Sequence, residues 1–260
     1  MGFFSRLFGR GTDGPRSGSA ADALVRAALT GDTTLARSAL DGGADVNDGG
    51  GSGVPPLVLA TVKGHADVAD LFIEAGADVN LPDPKGGMTP LHAAALHGLE
   101  DVVRELIARG ADTNAAYGRP PVTPLSLAFR QGKRDVVRLL LEAGADTNIS
   151  INAPSDPPDR QGLTPVIYAA STGDGDLIRL LAAHGADTNA CSADGLTPLM
   201  AAAFRGQFEA VKALVETGAD VSRVHAADPS RPFSAVDLAL TQGHRQIADY
   251  LLAHGARPTA

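Results

Sequence analysis

The tripeptide Gly-Ala-Asp recurs along this chain at near-constant spacing, and no other feature restricts the fold as much. It begins at Gly43, Gly76, Gly110, Gly144, Gly185 and Gly218, with a degenerate seventh copy at Gly255-Ala256-Arg257. A period of about 33 residues, lengthened before Gly185 and again before Gly255, belongs to an array of small units rather than to one closed core. A second glycine precedes each of these at one fixed offset: Gly31, Gly64, Gly98, Gly132, Gly173, Gly206 and Gly243. Seven copies at one offset exclude coincidence.

Each unit reads as two short helices. Thr-Pro opens the first at Thr89-Pro90, Thr123-Pro124, Thr164-Pro165 and Thr197-Pro198. Threonine at the N-cap accepts from unsatisfied backbone N–H groups, and proline at the first helical position lacks an N–H that would have no partner. A run of small apolar residues follows, as in Leu91-His92-Ala93-Ala94-Ala95, and then the mid-unit glycine. The second helix carries apolar residues at helical spacing, such as Val102, Val103, Leu106 and Ile107, and stops at the glycine of Gly-Ala-Asp. A segment rich in Pro, Gly, Asp and Asn, such as Leu81 to Gly87, reads as a turn or hairpin finger. One such unit has an apolar face that it buries only by stacking on a neighbour.

Thr89-Pro90-Leu91-His92-Ala93-Ala94, then Gly98, then Val102-Val103-Arg104-Glu105-Leu106-Ile107, then Gly110-Ala111-Asp112-Thr113-Asn114 closely resembles the ankyrin repeat. The resemblance covers residues 21–257. It implies an all-α ankyrin-repeat solenoid of stacked helix-turn-helix units joined by β-hairpin-like fingers, with repeats at 21–47, 54–80, 88–114, 122–148, 163–189, 196–222 and 233–258. Residues 21–260 form the repeat domain in this reading, and 1–20 form a leader and a Gly/Ser-rich linker. Departures fall at Asp22-Ala23, Pro55-Pro56 and Ser234-Ala235, where Asp22 and Ser234 are expected to serve as N-caps. Polar residues on the first and last units, such as Arg26, Asp32, Arg37, Gln242, Arg245, Gln246 and Asp249, mark them as caps. The asparagine at the base of each finger, Asn47, Asn80, Asn114, Asn148 and Asn189, becomes Ser222 and then Pro258. A regular finger network is therefore expected to decay toward the C-terminal end.

Composition excludes several function classes. Eight Phe, three Tyr and no Trp leave a thin interior of Ala, Leu and Val. A formal charge of −8 opposes general attraction to nucleic acid. A lone cysteine, Cys191, forms no internal disulfide or Cys-x-x-Cys site, so a reducing, cytoplasmic setting is expected. The apolar stretch from Phe3 to Phe8 is short for a secretory core, and no run is long enough to span a bilayer.

Candidate chemistry dissolves into the repeat. His65, His92, His184, His244 and His254 occupy repeat-pattern positions. His97 and His225 lie off pattern, without a Cys or a second His at ligand spacing. The resemblance implies that His92 hydrogen-bonds neighbouring loops. Asp45, Asp78, Asp112, Asp146, Asp187 and Asp220 form a ladder at the repeat period, which speaks for turn chemistry rather than acid/base catalysis. No Gly-x-x-x-x-Gly-Lys-Ser/Thr loop is present to hold phosphate. No enzyme activity, metal or cofactor is expected.

The variable column lies just before each mid-unit glycine. With the finger tips it gives the candidate partner-binding residues Val62, Lys63, Lys85, Leu96, His97, Arg119, Arg130, Gln131, Arg160, Ser171, Thr172, Phe204 and Arg205. The resemblance implies that a partner meets this concave side. Six of these residues are Lys or Arg, with Asp83, Asp159 and Asp194 nearby, so an acidic or mixed partner surface is expected. The leader presents Phe3, Phe4, Leu7 and Phe8 on one helical face, which suits a weak membrane foot or a docking peptide. The function expected is a monomeric, non-catalytic scaffold or adaptor that binds another protein and no nucleic acid. The alternatives are an inhibitor or immunity-type factor covering an enzyme, and an adaptor tethered to membrane by the leader.

Overall fold

The computed structural model describes residues 19–151, 162–225 and 232–259. The chain forms two compact units, divided between Ala145 and Asp146. The first unit contains α1 (Ala20–Thr30), α2 (Thr33–Asp41), α3 (Pro56–Lys63), α4 (Ala66–Glu74), α5 (Pro90–His97), α6 (Glu100–Ala108), α7 (Pro124–Arg130) and α8 (Arg134–Glu142). The second contains α9 (Pro165–Thr172), α10 (Gly175–Ala183), α11 (Pro198–Arg205), α12 (Phe208–Glu216), β1 (Val224–His225), β2 (Phe233–Ser234), α13 (Ala235–Thr241) and α14 (Arg245–Ala253). In each unit first helices pack on first helices, α1–α3–α5–α7 and α9–α11–α13, while second helices form a parallel layer behind them. The fold is all-α, as expected from the repeat.

The caps follow the threonine-proline rule. Thr123, Thr164 and Thr197 hydroxyls accept from Ser126, Ile167 and Met200 N–H at 3.2, 3.4 and 3.1 Å. Ser234 caps α13 as expected, its hydroxyl accepting from Asp237 N–H at 3.3 Å. Asp22 does not cap α1. Ser19 does, accepting from Asp22 N–H at 3.0 Å, while the Asp22 carboxylate accepts from Gly51 N–H at 3.1 Å. The helix begins three residues earlier than the repeat pattern suggests, and Asp22 thereby braces the following finger. Asp32 also has a defined task, capping α2 through Leu35 N–H at 2.9 Å.

Four of the mid-unit glycines, Gly31, Gly98, Gly173 and Gly206, have a steric reason beyond chain reversal. Gly98 and Gly206 both sit at φ +74°, the left-handed region. A Cβ at Gly98 would lie 2.7 Å from the Lys133 side chain, and one at Gly206 would lie 2.6 Å from the His244 ring. At Gly31, Gly98, Gly173 and Gly206 the residue following the glycine of the next repeat lies over the glycine, whereas Gly64 and Gly132 have open space there. This accounts for His65 and His244 as packing residues: His65 covers Gly31, with its Nε2 3.3 Å from the Leu29 carbonyl.

The core is the thin layer that composition requires. Ala27, Ala60, Ala94, Ala128, Ala170 and Ala203 are fully buried where first helices meet, with Leu, Val and Ile between the layers. Phe72 is the one fully buried aromatic among the largest core side chains. Most fingers are braced turns rather than ladders. Asp83, 1% exposed, accepts from Lys85 N–H at 3.2 Å and Gly86 N–H at 2.8 Å, so it organises its finger from inside. Strand pairing among the described residues is limited to an isolated bridge, Tyr117 with Val122, and to β1 with β2.

Candidate functional site

Two polar systems hold the surface in place. In the first, His92 is fully buried, and its Nδ1 accepts from Thr89 N–H at 3.3 Å while Nε2 lies 3.0 Å from the Val122 carbonyl. That arrangement requires the Nε2–H tautomer, a neutral ring that ties the start of α5 to the loop before α7. Burial lowers its pKa from 6.5 to about 4, outweighing the carbonyl bonds that favour protonation. Tyr117 packs edge-on against it at 4.9 Å, and burial raises that phenol to about 12.

The second system is a ladder along the finger bases. Asn47 Oδ1 accepts from Asp78 N–H at 2.8 Å. Asn80 accepts from Asp112 N–H at 2.8 Å and donates to the Gly110 carbonyl at 3.0 Å. Asn148 does the same to Asp187 and Gly185 at 2.9 and 3.3 Å, and Asn189 to Asp220 and Gly218 at 2.7 and 3.5 Å. Each carboxylate of the aspartate series turns inward to its own finger: Asp45, Asp78, Asp112, Asp146 and Asp187 accept from the N–H of the asparagine two residues on, at 2.8 to 2.9 Å. These aspartates perform turn chemistry. At Ser222 the ladder stops, because its hydroxyl folds back to Asp220 at 2.6 Å. The Ser222 hydroxyl, followed by its N–H, holds Asp220 below the ordinary carboxylate range.

Lys63, Lys85, Arg119, Arg130, Gln131, Thr172, Phe204 and Arg205 are exposed, and Leu96, His97 and Ser171 are half-buried. Phe204 is 45% exposed. Val62 is a correction: at 4% exposure it belongs to the packing between first helices, because the turn of α3 directs it inward. Asp83 is likewise removed from the surface charges by its role inside the finger. Ser171 and Thr172 direct their hydroxyl donors to Ile167 and Tyr168 carbonyls of their own helix, at 2.8 and 3.1 Å. Arg160, Asp159, Phe3, Phe4, Leu7 and Phe8 lie outside the described residues.

The charge is partitioned between the layers. Helices α3, α5, α7, α9 and α11 contain no Asp or Glu, and Lys63, Arg130 and Arg205 stand near their ends. Helices α4, α6, α8, α10 and α12 all carry acids. On that outer layer burial, and then Asp101, Asp67, Glu74 and Glu105, push the Asp70 carboxyl up. His225 was missed as a contact residue. It stacks on Phe233 at 4.4 Å and sets its Nε2 2.5 Å from the Asp194 carbonyl, bracing the neighbouring finger. Only its place in an insertion set it apart in the sequence.

Cys191 is exposed, and among the described residues no group of three or more His, Cys, Asp or Glu is placed to hold a metal. No helix among them is long and apolar enough to cross a membrane. Within each unit the framework offers variable side chains on stacked, similar helix pairs, the layout of a helical repeat protein. The family model for ankyrin repeats matches in three copies, over residues 24–117, 84–151 and 150–225, and the chain belongs to that family. Ankyrin repeats are generally protein–protein interaction modules. A search of curated proteins returns no match.

Proposed function

We propose that this chain is a non-catalytic interaction module that takes an acidic surface or segment of another protein along the first-helix side of its repeats. One observation carries the reading: five consecutive first helices without a carboxylate, with exposed Lys63 and Arg130 on those of the first unit and exposed Arg205 next to the exposed Phe204 on one of the second, on a chain of net charge −8. Segregating cations from an acidic remainder steers an acidic partner and repels a basic one. The exposed aromatic supplies the apolar contact that charge alone lacks.

The test is affinity capture from source-cell extract on immobilised chain, with the wild type beside Arg130→Glu and Arg205→Glu. Both reversals are expected to reduce the captured protein severalfold, and raised salt to do the same, since the screening length falls from about 10 Å at 0.1 M to about 3 Å at 1 M. Equal capture by wild type and the double reversal overturns the proposal.

A further inference from the structure

The asparagine ladder shows by repetition what the finger base of each repeat requires. The backbone N–H of the residue two beyond the glycine is received by a carboxamide oxygen, and the glycine carbonyl receives the carboxamide N–H: Asp112 and Gly110 from Asn80, Asp187 and Gly185 from Asn148, Asp220 and Gly218 from Asn189. In the last repeat the corresponding groups are Arg257 N–H and the Gly255 carbonyl. Their asparagine is replaced by Ser222, whose short side chain closes on Asp220. Neither group has a hydrogen-bond partner among the described residues.

That missing rung is a cleft. It has a volume of about 530 Å³, and Ser222, Gly255 and Arg257 line it together with Val224, Pro232 and Pro258. Ligand clefts commonly fall between about 300 and 1,000 Å³. Gly255 and Arg257, the counterparts of the residues that a carboxamide bridges in the other rungs, line this cleft beside proline and valine. Gly255 and Arg257 are exposed, so a ligand here exchanges water for the paired bonds that a carboxamide makes elsewhere in the ladder, a modest net gain per bond. The intervening segment, Arg223 to Arg231, contains no Asn or Gln, so its sequence supplies no carboxamide of its own.

We propose that this cleft is a carboxamide-reading site: an asparagine side chain from a peptide segment of another protein completes the ladder in trans, its oxygen on Arg257 N–H and its amide on the Gly255 carbonyl. The apolar walls receive the residue preceding that asparagine, as Val46 and Val79 precede Asn47 and Asn80 in this chain. A carboxylate in the same place accepts from the N–H but meets the Gly255 carbonyl with its own lone pairs, which disfavours aspartate. The site stands apart from the first-helix side and does not rest on the proposed function.

The experiment titrates the full isotope-labelled chain with the capped dipeptide acetyl-Val-Asn-N-methylamide, and with its Asp and Ala counterparts, following the backbone amide resonances of Gly255 and Arg257. The Asn probe is expected to move both and to saturate at millimolar concentration, at least tenfold tighter than Asp or Ala. Ser222→Asn, which builds the rung in cis, is expected to abolish the response and raise Tm. Arg257→Pro, which deletes the N–H, is expected to abolish the response without the gain in Tm. Equal response to all three probes, tighter binding of Asp through the Arg257 guanidinium, no response at all, or an undiminished response in a folded Ser222→Asn chain each overturns the proposal.

Discussion

The third repeat and the last one follow the same plan but satisfy it differently. In the third, adjacent repeats supply three polar contacts: His92 reaches the Val122 carbonyl, and Asn80 reaches Gly110 and Asp112. In the last, a contact local to the same repeat takes over. Thr259 donates from its N–H to Asp237 at 3.1 Å, and its hydroxyl stands 2.8 Å from the same carboxylate, while Ser222 leaves its rung open. The apolar faces differ in the same way. Leu106 is fully buried, whereas Leu240 and Leu252 of the last repeat remain 49% and 44% exposed. Beside the polar residues of the terminal repeat, Leu240 and Leu252 also lie on it uncovered. A repeat is complete only with a neighbour on both sides.

The comparison is broken most severely in the core. Leu106→Ala is expected to cost about 2–5 kcal/mol in chemical denaturation, against no more than about 0.5 kcal/mol for Leu252→Ala. Comparable losses at the two positions would show that the last repeat is as tightly enclosed as the third. The His92 lock comes next. Its folded pKa lies below its unfolded value, so its neutral form is fully accommodated above pH 6.5 and stability is lost as pH falls toward 4. The contribution is roughly 3 kcal/mol, and His92→Gln should remove that portion of the pH dependence of Tm. The rungs are smaller. Asn80→Ala is expected to destabilise by about 1–2 kcal/mol and Ser222→Asn to stabilise by about 1 kcal/mol, opposite signs from the same pair of bonds. The tail is smallest. Burial pulls the Asp237 carboxyl up, but the hydrogen bonds from Ser234 and Thr259 outweigh it and hold the group below the ordinary range. Thr259→Val should cost under about 1 kcal/mol at neutral pH and move the Asp237 titration upward in NMR. The Asp237 contribution is present above the ordinary carboxylate range and is lost as pH falls through the depressed value.

Much of this was legible in the residues. Glycine at two fixed places, Thr-Pro caps and helical apolar spacing are local instructions, and each acts within a few residues of itself. The aspartate series could be assigned to turns because a carboxylate accepting from the N–H two residues ahead needs no distant partner. The candidate surface was less legible. Val62 and Lys63 are adjacent in the chain, yet one is buried and the other exposed, since exposure depends on how the neighbouring first helices pack. Asp83 resembles a surface charge until its finger closes around it, and Asp22 resembles a cap until Ser19 takes that place. His225 gave no sign of the finger on which it rests.

By itself the sequence determined the period, the helix ends, the small-residue interior and the loss of asparagine at position 222, because these follow from short-range sterics and hydrogen bonding that recur in every unit. Only the tertiary structure decided what crosses from one repeat to the next. It placed His244 over Gly206, neutral His92 beneath a loop 30 residues onward, and Gly255 and Arg257 beside Ser222 as an open rung. The physical reason is distance along the chain: a contact between repeats joins groups about one period apart, and stacking alone brings them together.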